Sequence, residues 1–327
     1  MQIKCKILIF CCSVFMSIIA VFPGQGSQYV KMGKDFYDNF AVAKQVFEEV
    51  NEVLSLNLSE IIFGEDGGPL QQTQNAQPAL MAVSIAIAKV LQSERGFDAG
   101  KTAFTAGHSL GEYSALCFAG AISLKNTAIA LKHRGNAMSA AGSDFAGAMA
   151  AIIGAEDEKL ANLIQISLQN SPAGSVLVAA NDNSPGQVVI SGSELAVEFA
   201  ISNAKAYGVK LASLLPVSGA FHSPLMASAT AKMQDVLSDI TITAPQTKVI
   251  QNVVAEVVGS PLEIKQNLVK QIQSRVKWRQ TMLYAQAAGV TRLIEIGAKS
   301  VLCGLAKRTT PTIEQISIEK VADIDKV

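Results

Sequence analysis

Several features common in proteins are scarce in this sequence of 327 residues. Lys plus Arg and Asp plus Glu both count 27, so the net charge is zero. Nucleic acid and anionic membranes attract basic proteins, and neither is favoured as a partner here. Only three histidines and five cysteines are present. No two cysteines form a C-x-x-C pair, so no metal site is predicted, and the few thiols suit a reducing compartment rather than a disulfide framework.

A long hydrophobic run is also missing. The apolar run from Ile7 to Phe22 is shorter than the roughly 20 residues of a membrane span, and no membrane association is expected. Two lysines before it give the outline of a signal peptide, but cleavage near Ala20 would remove a predicted strand over residues 17–22. The preferred interpretation is that translation begins at Met16, leaving 1–15 as an extension of a cytoplasmic protein. A targeting or anchoring segment, implying an organelle, and an ordered extra element are the alternatives.

Strands and helices alternate along both ends of the chain, and 49% of the residues are hydrophobic, enough for a large core. This alternation predicts an α/β fold built on a parallel sheet. The predicted strands there are 17–22, 101–106, 248–254 and 291–297. The predicted helices are 38–54, 76–95 with Pro78 in its first turn, one from Leu110, 123–140, one after Pro224, 262–274 and 301–307.

The order changes to β-α-β-β-α-β between residues 145 and 218, the split arrangement of a ferredoxin-like unit. Its predicted strands are 146–154, 175–181, 187–192 and 209–218, and its predicted helices are 156–168 and 194–207. The sequence therefore predicts an α/β-hydrolase-like parallel core with an inserted ferredoxin-like small subdomain. The large subdomain comprises 16–142 and 219–327, and the small one comprises 143–218.

The segment GHSLG, residues 107–111, places Ser109 between a predicted strand and a predicted helix. A nucleophile elbow has this arrangement, in which flanking glycines allow a sharp turn that lifts the serine hydroxyl out of the sheet. The helix N-terminus and the N–H of Leu110 would then face a developing oxyanion. The first strand ends in PGQGSQ, which could bring the N–H of Gln25 to the same place.

A serine nucleophile usually needs a base, and three histidines allow elimination. His108 adjoins Ser109 on a tight turn, where neighbouring side chains diverge, and His133 lies on a helix. His222 follows a predicted strand, where α/β sites collect catalytic groups, and is the predicted base. No acidic residue completes a triad in hydrolase order, so a backbone carbonyl or an amide could orient the histidine. Arg134 has a guanidinium suited to a carboxylate, but spacing alone does not assign it this role.

These motifs together resemble the malonyl-CoA:acyl carrier protein transacylase family and the acyltransferase domains of fatty-acid and polyketide synthases. The resemblance covers nearly the whole chain from Met16, in segments that occur in the family's order. They are FPGQGSQ (22–28), NAQPAL (75–80), GHSLGEYSAL (107–116), HRGNAM (133–138), NSPGQVVISG (183–192), GAFHSPLM (219–226) and VKQIQSRVKW (269–278).

The resemblance implies a malonyl transfer from coenzyme A to the phosphopantetheine thiol of acyl carrier protein, through an acyl-serine and without a permanently bound cofactor. It implies that Ser109 is the nucleophile, His222 the base, and Gln25 and Leu110 the oxyanion donors. Further implied roles are a carboxylate clamp for Arg134, malonyl selectivity for Phe221 and orientation of the histidine for Gln271. A monomer is expected.

Two segments depart from the family pattern. EIGAKSVL (295–302) stands where the family often has a Gly-Pro-Gly turn, and SRVKW (274–278) stands where it often has Asn-Pro-Val-Arg-Trp. Three alternatives remain open: a thioesterase or esterase using a similar elbow, a non-catalytic module that binds the carrier protein, and a polyketide-pathway acyltransferase. The short free-standing chain favours the fatty-acid route.

Overall fold

The computed structural model describes residues 17–327, and the predictions for residues 1–15 and for a start at Met16 lie outside this range. The strands are β1 Ile18–Phe22, β2 Phe104–Gly107, β3 Gly147–Ile153, β4 Leu177–Ser184, β5 Gln187–Ser193, β6 Leu211–Leu214, β7 Lys248–Gln251, β8 Glu256–Val258, β9 Arg292–Ile296 and β10 Glu314–Ile318. The α-helices are α1 Lys34–Asn39, α2 Ala41–Leu54, α3 Leu58–Phe63, α4 Gly68–Gln71, α5 Thr73–Arg95, α6 Gly111–Phe118, α7 Leu124–Asp144, α8 Asp157–Gln169, α9 Glu194–Asn203, α10 Ala227–Asp239, α11 Pro261–Gln271, α12 Trp278–Ala287 and α13 Val301–Thr309.

A six-stranded sheet in the order β10-β9-β1-β2-β7-β8 forms the larger part of the fold. Its strands pair in parallel except for the short β8, which is antiparallel to β7. Phe22 at the end of β1 is in register with Gly107 at the end of β2. Because parallel strands end at the same edge, the segments after β1 and β2 meet there.

A four-stranded antiparallel sheet in the order β4-β5-β3-β6 uses strands from residues 147–214 only. Helices α8 and α9 cover one face, where their apolar residues form a core separate from that of the larger sheet. The mixed α/β prediction is therefore confirmed, with one mainly parallel sheet and one antiparallel sheet.

The boundaries differ from prediction in several places. The helix predicted over 38–54 is two helices, because Phe40 takes an extended conformation with φ −130°. Helix α5 begins at Thr73, so Pro78 lies inside it rather than in its first turn. Gly135 of α7 packs so tightly there that an added Cβ would lie 2.5 Å from the Cα of Gln74. The start of α5, whose ladder lacks the N–H of Pro78, therefore packs closely against α7.

Residues 34–37 of α1 and the elements α3, α4, α12, β8 and β10 were not predicted, and most of them are short. Helix α5 is the one helix of residues 17–327 long and apolar enough to cross a membrane. However, 83% of its most apolar window is buried inside the protein, as expected of a core helix.

Candidate active site

Ser109 lies in a tight turn between β2 and α6 and takes the left-handed conformation, with φ 52°. Left-handed backbone is uncommon outside glycine and is often found at functional sites. The flanking residues Gly107 and Gly111 were expected to give the turn conformational freedom, but the structure shows that they are needed because other backbone atoms lie close to them. A Cβ on Gly107 would lie 1.9 Å from the carbonyl oxygen of Gly111, and one on Gly111 would lie 2.2 Å from that of Phe22. Close backbone packing therefore requires both glycines, while the serine itself has the strained conformation.

His222 lies beside Ser109, with 2.8 Å between its Nε2 and the serine Oγ. Its Nδ1 is 2.8 Å from the carbonyl oxygen of Gln271 and 3.1 Å from that of Ser274. Carbonyl oxygens only accept hydrogen bonds, so Nδ1 carries the proton and Nε2 is free to accept the serine proton. Burial, reinforced by the positive charge of Arg134, lowers the pKa of His222 to about 3. The histidine is therefore neutral at physiological pH.

Arg134 is almost completely buried, with 1% of its surface exposed. Its Nη2 donates to the Oγ of Ser109 at 3.1 Å, and its Nη1 donates to the Oε1 of Gln77 at 2.8 Å. Burial lowers its pKa, against the attraction of nearby groups such as Glu112. Within residues 17–327, no carboxylate lies within ion-pair distance of Arg134, and its Nε has no hydrogen-bond acceptor. A buried cation without an anionic partner, beside a serine that contacts a histidine, is suited to an anionic ligand.

Gln271 contacts His222 through its main-chain carbonyl rather than through its side chain. The side-chain oxygen of Gln271 accepts from Nη2 of Arg134 at 2.9 Å, and its Nε2 donates to the carbonyl oxygen of Ser109 at 3.1 Å. The side chain thus links the arginine to the serine, and the backbone orients the histidine.

A buried polar network that the sequence did not predict contacts the backbone of the elbow. Asn252 accepts from the N–H of Ser109 at 2.8 Å and donates to the carbonyl oxygen of Gly107 at 2.7 Å. Fully buried Glu112 accepts from the N–H of Asn252 at 2.6 Å and from Nε2 of Gln251 at 3.0 Å. Burial raises the pKa of Glu112 to about 7 despite these donors. The signal for Glu112 was present in the sequence, as an acid in the first turn of an otherwise apolar helix.

The two predicted oxyanion donors belong to the segments that follow β1 and β2. Leu110 precedes α6 and is buried, and Gln25 lies in the loop after β1. Neither main-chain N–H has an acceptor in the described part of the chain. The half-buried side chain of Gln25 donates to Oγ1 of Thr73 at 3.2 Å.

A cavity of about 460 Å3 lies between the two sheets beside Ser109. Ser109, His222 and Arg134 contribute polar groups, and Met138 and Phe221 are among its apolar wall residues. Lys299 lies in the lining and donates to the carbonyl oxygen of Gly26 at 3.2 Å. No group of three or more potential metal ligands occurs in residues 17–327. The arrangement can deprotonate a serine, stabilise an oxyanion and bind a carboxylate at one place.

Comparison with known proteins gives consistent matches. The acyl transferase domain family matches residues 19–324. The malonyl CoA-acyl carrier protein transacylase of Bacillus subtilis (strain 168) is 42% identical over 312 residues, which is 95% of this chain and 96% of the relative. The corresponding protein of Escherichia coli (strain K12) is 39% identical over 293 residues, covering 90% and 93%.

Solved structures agree with the sequence relatives. The acyl-carrier-protein-S-malonyltransferase from Bartonella henselae superposes with a TM-score of 0.90 at 44% identity, covering 95% of this chain and 98% of that one. A malonyl-transacylase in complex with its holo type II PKS acyl-carrier protein superposes with a TM-score of 0.89 at 37% identity, covering 95% and 98%.

Proposed function

Because the chain belongs to the acyl transferase domain family, alongside the malonyl-CoA:acyl carrier protein transacylases, we propose that it transfers malonyl groups through a covalent malonyl-Ser109. Malonyl transfer from coenzyme A to acyl carrier protein is the activity named for its relatives, and it is the function of this enzyme. The observation that carries the covalent route is the buried, unpaired Arg134 within hydrogen-bond distance of a serine already paired with a histidine.

The first half-reaction uses neutral His222. Nε2 takes the proton of Ser109 as Oγ attacks the thioester carbon of malonyl-CoA, and the resulting oxyanion accepts from the N–H groups of Gln25 and Leu110. When the carbon–sulfur bond breaks, His222 returns the proton to the coenzyme A thiolate. Ser109 then carries the malonyl group as an ester.

The second half-reaction reverses these roles. His222 takes the proton of the phosphopantetheine thiol of acyl carrier protein, whose sulfur attacks the malonyl ester. The new thioester forms, the bond to Oγ breaks, and the proton passes from His222 to Ser109. The guanidinium of Arg134 binds the free malonyl carboxylate in both steps, which selects dicarboxylic acyl groups and positions the ester away from water. No permanently bound cofactor is needed.

The proposed organisation follows the sheets. Residues 16–142 and 219–327 form an α/β-hydrolase-like large subdomain, and 143–218 form a ferredoxin-like small subdomain that provides Met149 and Asn183 to the cavity. Support comes from the β-α-β-β-α-β order and from the sheet order β4-β5-β3-β6. We assign malonyl selectivity to Phe221, because its buried ring lies in the cavity wall and leaves less room for a methyl-branched substrate than a smaller residue would. We also propose a cytoplasmic monomer acting in fatty-acid synthesis, with polyketide synthesis as the alternative pathway.

Intact-mass analysis of the protein after mixing with malonyl-CoA tests the proposal. We expect one malonyl adduct that is absent in Ser109→Ala, that persists in buffer, and that disappears when phosphopantetheinylated acyl carrier protein is added. Rapid release of free malonate without the carrier would instead indicate a thioesterase. Carrier binding with no adduct at all would indicate a non-catalytic module.

A further inference from the structure

Fully buried Asp182 lies outside the proposed reaction and contacts three side chains of one segment. Its Oδ2 lies 3.0 Å from Nη2 of Arg275, 3.1 Å from Nε of Arg279 and 2.8 Å from Nε2 of Gln280. Asp182 belongs to β4 of the antiparallel sheet, whereas the three partners lie at or before the start of α12. One carboxylate therefore joins the two sheet regions on either side of the cavity.

The backbone around Asp182 makes the same connection. Its N–H donates to the carbonyl oxygen of Val276 at 2.9 Å, and the N–H of Val276 donates to the carbonyl oxygen of Ala180 at 2.8 Å. Val276 thus extends the edge of the small sheet at β4, as a parallel bridge to Asn181. The side-chain ion pairs and the bridge fix the same short segment, residues 274–280.

This segment begins at the residue that contacts the proposed base. The carbonyl oxygen of Ser274 accepts from Nδ1 of His222, directly before Arg275 in the chain. On the opposite face of β4, Asn183 lies 2.8 Å from Nε2 of His108, the neighbour of Ser109. Side chains alternate along a strand, so Asp182 faces the arginines while Asn181 and Asn183 line the cavity.

We propose that Asp182 is a positioning residue for the acyl transfer: its ion pairs fix segment 274–280 so that the Ser274 carbonyl orients His222. The small subdomain then contributes to the geometry of the base as well as to the cavity wall. Arg275 stands where the family pattern often has a proline, whose ring would fix the backbone φ angle. In this chain the ion pair between Arg275 and Asp182 restrains the backbone at that position instead. The inference rests on the proposed function for the identity of the base.

Asp182→Asn keeps the shape of the side chain and removes its charge. Asp157→Asn is the matched control, because Asp157 is 64% exposed and pairs with Arg279 at 2.9 Å, whereas Asp182 is buried and also pairs with Arg275. Loss of one partner from a buried ion pair can unfold a protein, so Arg275→Gln is a second variant. It removes one partly exposed arginine and leaves Arg279 paired with Asp182.

Two measurements separate positioning from general stability, on variants whose circular dichroism matches the wild type. The first is the rate at which phenylmethanesulfonyl fluoride labels Ser109, which needs no malonyl-CoA. A displaced base is expected to slow this labelling by about 10- to 100-fold, with kcat for malonyl transfer falling in parallel and KM changing far less. Asp157→Asn is expected to behave like the wild type.

The second measurement is the Nδ1–H signal of His222 in 15N-histidine spectra, which contain three histidines only. We expect Asp182→Asn to shift this signal, Arg275→Gln to shift it in the same direction by less, and Asp157→Asn to leave it unchanged. An unchanged signal in a folded Asp182→Asn or Arg275→Gln protein overturns the inference, even if activity falls. Failure of the wild type to form a malonyl adduct would overturn the proposed function, while the spectra would still decide the role of Asp182.

Discussion

Replacing Arg134 by methionine removes a positive charge close to His222 while retaining an unbranched side chain. Nη2 of Arg134 lies 3.1 Å from the Oγ of Ser109, which lies 2.8 Å from Nε2 of His222. The charge is therefore within about 6 Å of Nε2, where two unit charges interact by about 3 kcal/mol at an effective dielectric constant of 20. Loss of this repulsion should raise the pKa of His222 by about 2, from its value of about 3.

The sign of the effect on rate follows from the need for a neutral base. A protonated histidine cannot accept the serine proton, so acylation fails below the pKa of His222. The acidic limb of the rate profile should therefore lie near pH 3 in the wild type and about two pH units higher in Arg134→Met. Stopped-flow acylation with acetyl-CoA, which has no carboxylate to lose, isolates this effect from substrate binding.

Substrate selectivity gives the second part of this prediction. A hydrogen bond to a charged group contributes about 1.5–3 kcal/mol. Loss of both hydrogen bonds from the Arg134 guanidinium to the malonyl carboxylate should therefore slow malonyl acylation at least about 100-fold relative to acetyl acylation. Arg134→Lys is the control, because it retains the charge without the planar fork. It should keep the acidic limb near the wild-type position. If Arg134→Met shows the wild-type acidic limb and unchanged selectivity, the reasoning about this arginine is wrong.

Three further perturbations test the rest of the site. His222→Gln should lower the acylation rate by about 10²- to 10⁴-fold. Between pH 6.5 and about 3 the wild-type histidine binds a proton only in the unfolded state, so the wild type loses stability as the pH falls through this range. The variant should lose less unfolding free energy over the same range, as urea unfolding at several pH values would measure. Glu112→Gln places the new amide NH2 against one of the two buried donors, the N–H of Asn252 or Nε2 of Gln251. The free energy of unfolding in urea at pH 8 should fall by about 1–3 kcal/mol, and an unchanged unfolding midpoint would contradict these hydrogen bonds. Gly107→Ala places a Cβ 1.9 Å from a backbone oxygen and should abolish soluble expression or lower Tm sharply. Gly304→Ala, in open space on α13, should instead raise Tm slightly, and equal effects of the two would refute the packing argument.

Much of the fold was accessible from local patterns. The strand before Pro23 and the helix after Ser123 follow from apolar runs and capping residues, and the structure places β1 and α7 there. Short or polar elements were not accessible, because α12 begins after a turn without a strong start signal and β8 has only three residues. The break at Phe40 was missed because both flanking segments continue the helical pattern.

The sequence by itself determined which groups are available for chemistry. GHSLG predicts the strand–turn–helix around Ser109, and scarcity of histidine reduces the choice of base to three residues, of which only His222 follows a predicted strand. The ordered motifs then indicate the family, which the comparisons confirm. These inferences succeed because they depend on residue types and short spacings, which the chain encodes locally.

Only the tertiary structure decided how these groups are used. Arg134 has the sequence context of a surface helix residue, yet it is 1% exposed and lies against Ser109, 25 positions away. The orientation of His222 depends on main-chain carbonyls of Gln271 and Ser274, and any residue type can supply a carbonyl. The link from Asp182 to that segment likewise joins β4 to the start of α12, about 95 positions away in the chain. Burial and main-chain contacts arise when distant segments pack together, so no local pattern records them.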